Sequence, residues 1–437
     1  MNKTTSGPTA AVAVSPKKPG RLRRAAIFER LGPGLITGAA DDDPSGIATY
    51  SQAGAQFGMD MLWTMVVTYP LMTTVQAISA RIGRVTGMGL AANMSRIFPR
   101  WIVMTLVGLL FVANTINIGA DLVAMGAAAE LILGRGAHLF TVGFALLSLG
   151  LQMFIPYDRY VRYLKWLTLA LFAYVAIVFV VEIDWGQLLV RTLMPELAWT
   201  AGVVTMVVAI FGTTISPYLF FWQSSAEVEE EKANDAAKPL KEKPGQAKAE
   251  LRRIHWDTYA GMAFSNLIAF FIVLTTAVTL HASGHTEIHT AAQAAEALRP
   301  IAGEFAFILF SLGIIGTGLL AVPVLAGSAA YAISEARGWK MGLAHMPHEA
   351  VGFYTVLGLA VLLGLTVDYS PIDPIDALFW SAVVNGVISV PLLAAMMIVV
   401  SRRREMGRFV ANIPQRVIGW ATTLIMGAAS IAMFALR

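Results

Sequence analysis

Two apolar stretches of the chain are each interrupted by a polar, proline-containing segment. Residues 38–46 read Gly-Ala-Ala-Asp-Asp-Asp-Pro-Ser-Gly, and residues 212–218 read Gly-Thr-Thr-Ile-Ser-Pro-Tyr. Pro44 has no N–H to donate and disfavours helix at Asp43 before it; Pro217 acts in the same way, with Gly212 loosening the chain further. Carbonyls freed on the N-terminal side of each break find no partner in lipid, so they point into the protein. Two unwound segments facing each other would offer carbonyl oxygens, half-helix ends and the Asp43 carboxylate, which is a set of hard oxygen ligands for a cation. Proline kinks alone would not require Asp43, and a carboxylate at membrane depth is costly enough to suggest a role. Three consecutive carboxylates in one unwound turn would repel one another if all were buried. Two readings of Asp41 and Asp42 therefore stand: one faces a water-filled vestibule and concentrates cations there, or they hydrogen-bond to nearby backbone.

The elements that must position these breaks are membrane spans. Hydrophobic residues make up 56% of the 437 residues and charged residues 14%, with a mean hydropathy of +0.64. A soluble chain carries roughly 25% charged residues. Eleven apolar runs are long enough to cross a bilayer: 31–58, 61–80, 101–131, 138–155, 160–182, 200–224, 257–281, 304–334, 350–367, 375–400 and 415–436. With the N-terminus in the cytoplasm, 28 of the 32 Lys and Arg fall on the inner side, leaving Arg135, Arg191, Arg299 and Arg437 outside. That split follows the positive-inside rule. The basic pI of about 9.2 then reports orientation in a membrane, and nucleic-acid binding is not expected. Helices 1–5 and 6–10 form two halves, each opening with a broken helix, and helix 11 is extra. Matching breaks in two halves point to a transporter's binding site.

Residues 1–26 are basic and lack an apolar core, so they read as a disordered cytoplasmic tail and not a cleaved signal. Residues 27–436 read as a single transmembrane domain with a charged cytoplasmic loop at 227–255 that holds some helix, a solvated linker or else a regulatory or gating element. The chain has no Cys, which excludes disulfides and thiolate ligands. The expected setting is a multi-pass protein of the cell membrane. The sequence leaves the oligomeric state open, a monomer being compatible with it.

The residues that carry these features resemble the Nramp divalent-metal transporters. Gly32-Pro33-Gly34, Asp43-Pro44 and Gln52-Ala53-Gly54 look like that family's first helix. Asn117 to Leu122 in helix 3, Ser265-Asn266 in helix 7, and Gly313 to Leu320 with Pro323 to Gly327 in helix 8 follow in the same order. The resemblance covers about 30–436 and implies an all-α integral membrane protein of the LeuT-type inverted-repeat fold, working by alternating access. It also implies that Asp43 and the carbonyls of Ala40 and Thr213 face the ion. The family's Asp-Pro-Gly-Asn motif is here Asp43-Pro44-Ser45-Gly46, and its Met-Pro-His motif is Ser216-Pro217-Tyr218. Losing the amide and the thioether leaves a roomier, harder site, with Ser216 offering a hydroxyl or a place for water. A thioether favours softer transition metals, whereas Mg²⁺ keeps waters and binds through few carboxylates. The pattern is similar to the Nramp-related magnesium transporter branch, so Mg²⁺ and Mn²⁺ are the expected substrates, with no cofactor. Asp121 matches the family's first helix 3 acid, but the next acid is Ala124 and the helix 6 His is Tyr218. Uptake without proton coupling is the expectation. Gly46, Pro44, Pro217, Tyr218, Asp42, Asp121 and Asn385 are expected to line or gate the site.

Other features compete for attention. His281, His285 and His289 recur every four residues and would share a helix face, although a solvated loop is the plainer reading. Asn114 and Asn117 share a face with Asp121 and either line a pathway or bind neighbouring helices. Trp222 and Phe221, with Gln223, Ser224 and Ser225, could close an inner gate or simply pack. Met346-Pro347-His348 matches the family tripeptide but lies in a cytoplasmic loop. The competing functions are a proton-coupled Mn²⁺/Fe²⁺ importer of the same family and a transporter of a small organic solute whose ammonium pairs with Asp43. No nucleophile elbow, zinc His pair or phosphate-binding Gly loop supports an enzyme.

Overall fold

The computed structural model describes residues 32–155, 167–234 and 236–436; the expected tail at 1–26 lies outside them. Helix is the only regular structure among the described residues. We number the principal helices α1 (Pro33–Asp41), α2 (Pro44–Phe57), α3 (Trp63–Thr86), α4 (Leu90–Ser95), α5 (Arg100–Leu133), α6 (Ala137–Phe154), α7 (Trp185–Leu193), α8 (Ala201–Thr214), α9 (Pro217–Lys232), α10 (Ala247–Thr276), α11 (Ala306–Arg337), α12 (Val351–Gly364), α13 (Pro374–Ser401) and α14 (Ile413–Ala435).

Eight spans among the described residues are long and apolar enough to cross a membrane, and they coincide with the expected spans 3, 4 and 6–11. The first two expected spans are α1–α2 and α3, with the chain turning by 109° between α2 and α3. The fifth, 160–182, begins outside the described residues. Its described part, 167–182, is a run of 3-10 and single α turns over 167–179 and not a continuous helix.

Both broken helices fail where the prolines dictate. α1 ends at Asp41, Asp42 leaves helical geometry with φ −83° and ψ 48°, and Asp43 is the extended N-cap of α2 with Pro44 at its first position. α8 ends at Thr214, and the extended Ser216 precedes Pro217 at the first position of α9. Proline is accommodated there because the first helical N–H has no intrahelical acceptor.

The packing has the symmetry of two exchanged halves. α3 packs on α9, while its counterpart α10 packs on α1; α5 and α11, third in their halves, pack on each other. α1 and α10 approach through glycine: a Cβ on Gly38 would lie 2.4 Å from the Gly261 carbonyl oxygen, and one on Gly261 would lie 2.4 Å from that of Gly34. The connector, expected to be a loop with some helix, carries helix at both ends. α9 continues through Glu227 to Lys232, and α10 begins at Ala247. The segment between them docks on the end of α3, where Leu240 is fully buried and the N–H groups of Leu240 and Lys241 donate to the carbonyls of Arg84 and Val85, both at 3.2 Å.

Candidate cation site at the two helix breaks

Asp43 ends one break and meets the other. As N-cap it accepts from Gly46 N at 2.8 Å and from Ser45 Oγ at 2.7 Å through Oδ1. Its Oδ2 accepts from Asn117 Nδ2 of α5 at 2.9 Å. Tyr218 of α9 donates to the Ala40 carbonyl at 3.0 Å and lies 3.3 Å from Asp43 Oδ2. A phenol standing after Pro217 therefore ties the two breaks together. A Cβ on Gly46 would meet Thr213 Oγ1 at 3.1 Å, Tyr50 Cε2 at 3.3 Å and the Asp41 carbonyl oxygen at 3.4 Å. The missing side chain at Gly46 is thus the point where α2 faces the end of α8.

Every one of these groups is buried, Asp43 being 1% exposed. The Ser216 hydroxyl turns back onto its own break, donating to the carbonyls of Gly212 and Thr213. It braces the carbonyl end of α8. Gly212 in turn lies against the backbone of α13 at Ala382 and Gly386, bringing α13 beside the break.

Asp41 and Asp42 are also buried, so neither opens onto water in this structure. Their partner is a side chain and not backbone: the Ser265 hydroxyl of α10 contacts Asp41 Oδ2 and lies 2.9 Å from Asp42 Oδ1. One hydroxyl proton serves one carboxylate at a time, and Asp41 Oδ1 has no hydrogen-bond partner among the described residues. Asp121, four residues after Asn117 on the same face of α5, is also buried. Four buried carboxyls thus lie close to the breaks, and the ion pairs of the described residues bring none of them a Lys or Arg. Such a region is short of positive charge.

Some supporting residues have no signature in the sequence. Ser381 of α13 donates to Asn117 Oδ1 at 2.7 Å, so α13 orients the amide that holds Asp43. Asn385 lies one turn further along the same face, buried, with both amide atoms free of hydrogen bonds among the described residues. The nearby Asn114 is interhelical glue, donating to the Leu325 carbonyl and Ser328 Oγ of α11 at 2.8 and 2.7 Å.

The other candidates separate. His281 Nδ1 lies 2.8 Å from the Ala55 carbonyl oxygen, His285 Nδ1 lies 3.1 Å from Ser283 Oγ, and His289 Nδ1 lies 3.2 Å from Asp376 Oδ2. The three do not form one ligand face. The Asp376 carboxylate holds the His289 imidazole above its ordinary pKa. Met346-Pro347-His348 sits in a surface turn where Glu349 accepts from Met346 N at 3.3 Å, a contact that keeps the Glu349 carboxyl below its usual range. At the inner end, Trp222 packs on Gly327 and on Tyr331. The Gln223 carboxamide accepts from Thr37, and Ser225 donates to Glu335 at 2.8 Å. These contacts pack α9 against α1 and α11 beyond the breaks.

A model of the family described as natural resistance-associated macrophage protein-like matches residues 34–436. Among curated relatives, the divalent metal cation transporter MntH of Klebsiella pneumoniae subsp. pneumoniae is 26% identical over 423 residues, spanning 93% of this chain and 94% of the relative. MntH of Erwinia tasmaniensis is 27% identical over 315 residues, 70% of this chain and 71% of the relative. Among solved structures, the Eremococcus coleocola manganese transporter in complex with an aromatic bis-isothiourea substituted compound superposes with a TM-score of 0.71 at 15% identity, covering 95% and 88% of the two chains. Mhp1, a nucleobase-cation-symport-1 family transporter in a closed conformation, gives 0.56 at 14% identity, covering 93% and 91%. The two structural likenesses bear on the fold, which is the all-helical LeuT-type arrangement expected from the paired breaks.

Proposed function

The chain belongs to the natural resistance-associated macrophage protein-like family, and on that premise we propose that it is a secondary-type transporter importing divalent metal cations by alternating access. Mg²⁺ and Mn²⁺ are its favoured substrates, and no enzyme activity or resident cofactor is involved. The observation that carries the reading is the junction of the two breaks at Asp43. There a buried carboxylate, the Ala40 carbonyl and the bracing of the Thr213 carbonyl by Ser216 gather oxygen ligands with no compensating Lys or Arg. Such a set suits a hard cation. The names of the relatives, divalent metal cation transporters, support a metal over an organic ammonium.

The finer reading rests on what replaces the family residues. Gly46 offers no side-chain amide to the ion, and Ser216 puts a hydroxyl where a thioether would stand, so an ion can keep part of its water. Asp43, Ala40, Thr213 and Ser216 form the metal-facing set; Gly46, Pro44, Pro217, Tyr218, Asp42, Asp121 and Asn385 line or gate it. Tyr218 is a phenol and does not exchange its proton near neutral pH as an imidazole does; uptake is therefore uncoupled from protons. The protein sits in the cell membrane with a cytoplasmic N-terminus and one transporter domain at 27–436.

One observation favours a second reading, a proton-coupled Mn²⁺/Fe²⁺ importer: Asp41, Asp42 and Asp121 are buried near Asp43 and could carry protons. Proteoliposome uptake of Mg²⁺ and Mn²⁺, with and without a proton gradient, separates the two. Saturable uptake that needs Asp43 and leaves the lumen pH unchanged is expected. Acidification that tracks metal entry would establish coupling, and Mn²⁺ binding unaltered by Asp43→Ala would remove the site.

A further inference from the structure

A second set of donor atoms lies at the opposite end of α2 from Asp43. His289, Asp373 and Asp376 each offer one ligand atom, and all three atoms lie within 4.8 Å of one another. His289 and Asp376 border a cavity of about 150 Å³ whose lining includes Gln52, Gln56 and Glu287 and contains no Lys or Arg. Gln52 is nine residues beyond Asp43 on the same helix, or about 14 Å at 1.5 Å per residue. On the proposed orientation this is the outer mouth of the path to the breaks.

The donors are held in place independently of any ion. Ile288 is buried and its N–H donates to Gln52 Oε1 at 3.1 Å. Thr290 forms a capping box with Gln293, and Gln293 Oε1 also accepts from His289 N at 2.8 Å. His289 is therefore pinned on both sides. Asp373 is the N-cap of α13, yet its side chain makes no cap hydrogen bond, although an N-cap carboxylate ordinarily accepts from the first turn. Asp376 presents both oxygens to His289 Nδ1, at 3.3 and 3.2 Å. Two ligands about 2.1–2.2 Å from one ion at right angles stand about 3 Å apart, so this spacing suits two ligands of a common metal. Gln52 is more than nine-tenths buried, and its Nε2 has no hydrogen-bond partner among the described residues. It borders the cavity and is free to hold the outer oxygen of a metal-bound carboxylate, as outer-shell groups do.

We propose that His289, Asp373 and Asp376 form a second divalent-cation site at the outer mouth, selective for transition ions such as Mn²⁺ and Co²⁺ over Mg²⁺. One imidazole with two carboxylates is a borderline donor set, which a hard ion with tightly held water does not favour. The inner site is oxygen-only, so the two sites rank metals differently. The outer site captures ions before they reach Asp43, which rests on the transport reading; its existence does not.

The test is solution electron paramagnetic resonance of Mn²⁺, added as MnCl₂ to purified full-length protein, on an Asp43→Ala background that silences the inner site. That variant is expected to retain one bound Mn²⁺, which resists a tenfold excess of Mg²⁺. Adding His289→Ala, Asp376→Asn or Asp373→Asn should weaken it at least tenfold. Asp373→Asn is the decisive variant, because Asp373 is exposed and makes no cap bond, so its loss does not disturb the helix. Absence of bound Mn²⁺ in Asp43→Ala, binding indifferent to Asp373→Asn, or equal displacement by Mg²⁺ would overturn the proposal. Uptake insensitive to Asp43→Ala would overturn the transport reading while leaving this result standing.

Discussion

Asp43, the proposed ligand, is already surrounded by donors, and this decides how such a site would select. Its Oδ1 is committed to Ser45 and Gly46 of its own helix, while Oδ2 meets Asn117 and Tyr218 from two others. On the proposed reading a cation takes the Oδ2 side, displacing the weaker 3.3 Å contact with Tyr218, while Gly46 lets α2 approach the end of α8. A Cβ at that position would press on Thr213 Oγ1 at 3.1 Å, a contact that a rotatable hydroxyl can relieve. Gly46→Asn is therefore expected to fold, to occupy the space of a retained water and to lower Mg²⁺ uptake by about tenfold relative to Mn²⁺. Competitive uptake of the two ions in proteoliposomes checks it, and an unchanged ratio would mean that Gly46 does not set selectivity. Asp43 was legible in the sequence because a carboxylate before proline inside an apolar run is locally conspicuous. Ser381 was not, because a serine on an apolar helix gives no local sign of the partner it meets across the fold. Asp41 and Asp42 escaped for the same reason: their shared Ser265 is 223 to 224 residues away.

At the scale of elements, α1 depends on its tertiary contacts. α1 is nine residues long, shorter than an isolated helix needs to be stable in water, and is held chiefly by its seam with α10. Gly34 N also donates to Asp257 at 2.7 Å. Because the seam is backbone on backbone, Gly38→Ala cannot be absorbed by a side-chain rotation. It should cost about 1–3 kcal/mol of packing and bias the inner end toward opening. The chain has no Cys, so Thr37→Cys provides a single reporter. Its maleimide labelling from the cytoplasmic side should accelerate severalfold in the Gly38→Ala background, and unchanged labelling would show that the seam does not hold the inner end shut. The long apolar helices and both breaks were readable from hydropathy and proline. The extension of α9 to Lys232 was hidden by its polarity: Glu, Lys and Ala are good helix formers, and the charges that mark a loop here satisfy one another.

Across the whole molecule, charge is sorted by depth. The inner ends of α3, α9 and α10 carry an ion-pair network in which Arg84 meets Glu231 at 2.6 Å and Glu250 at 3.2 Å, while Arg253 meets Glu227, Glu230 and Glu250 at 2.5, 3.2 and 3.2 Å. The Glu227 side chain is fully buried. Arg253→Ala would strand it, at a cost of about 3–5 kcal/mol for an unpaired buried charge; the melting temperature should fall, and Glu227→Gln in the same chain should restore much of it. The region of the breaks shows the reverse, with acids and no basic partner, so a divalent ion brings the charge that the protein lacks. If no proton moves with the ion, each turnover moves two charges down the membrane potential. That contributes about 4.6 kcal/mol per 100 mV and supports roughly 2,000-fold accumulation. A proton-exchanging carrier would instead respond to pH at fixed potential. Proteoliposomes clamped with a potassium diffusion potential distinguish the two: inward-negative voltage should drive Mg²⁺ and Mn²⁺ accumulation at equal internal and external pH. A one-unit pH gradient at zero voltage should drive none. Uptake following the pH gradient would assign Asp41, Asp42 or Asp121 a proton-carrying role and replace the uncoupled mechanism.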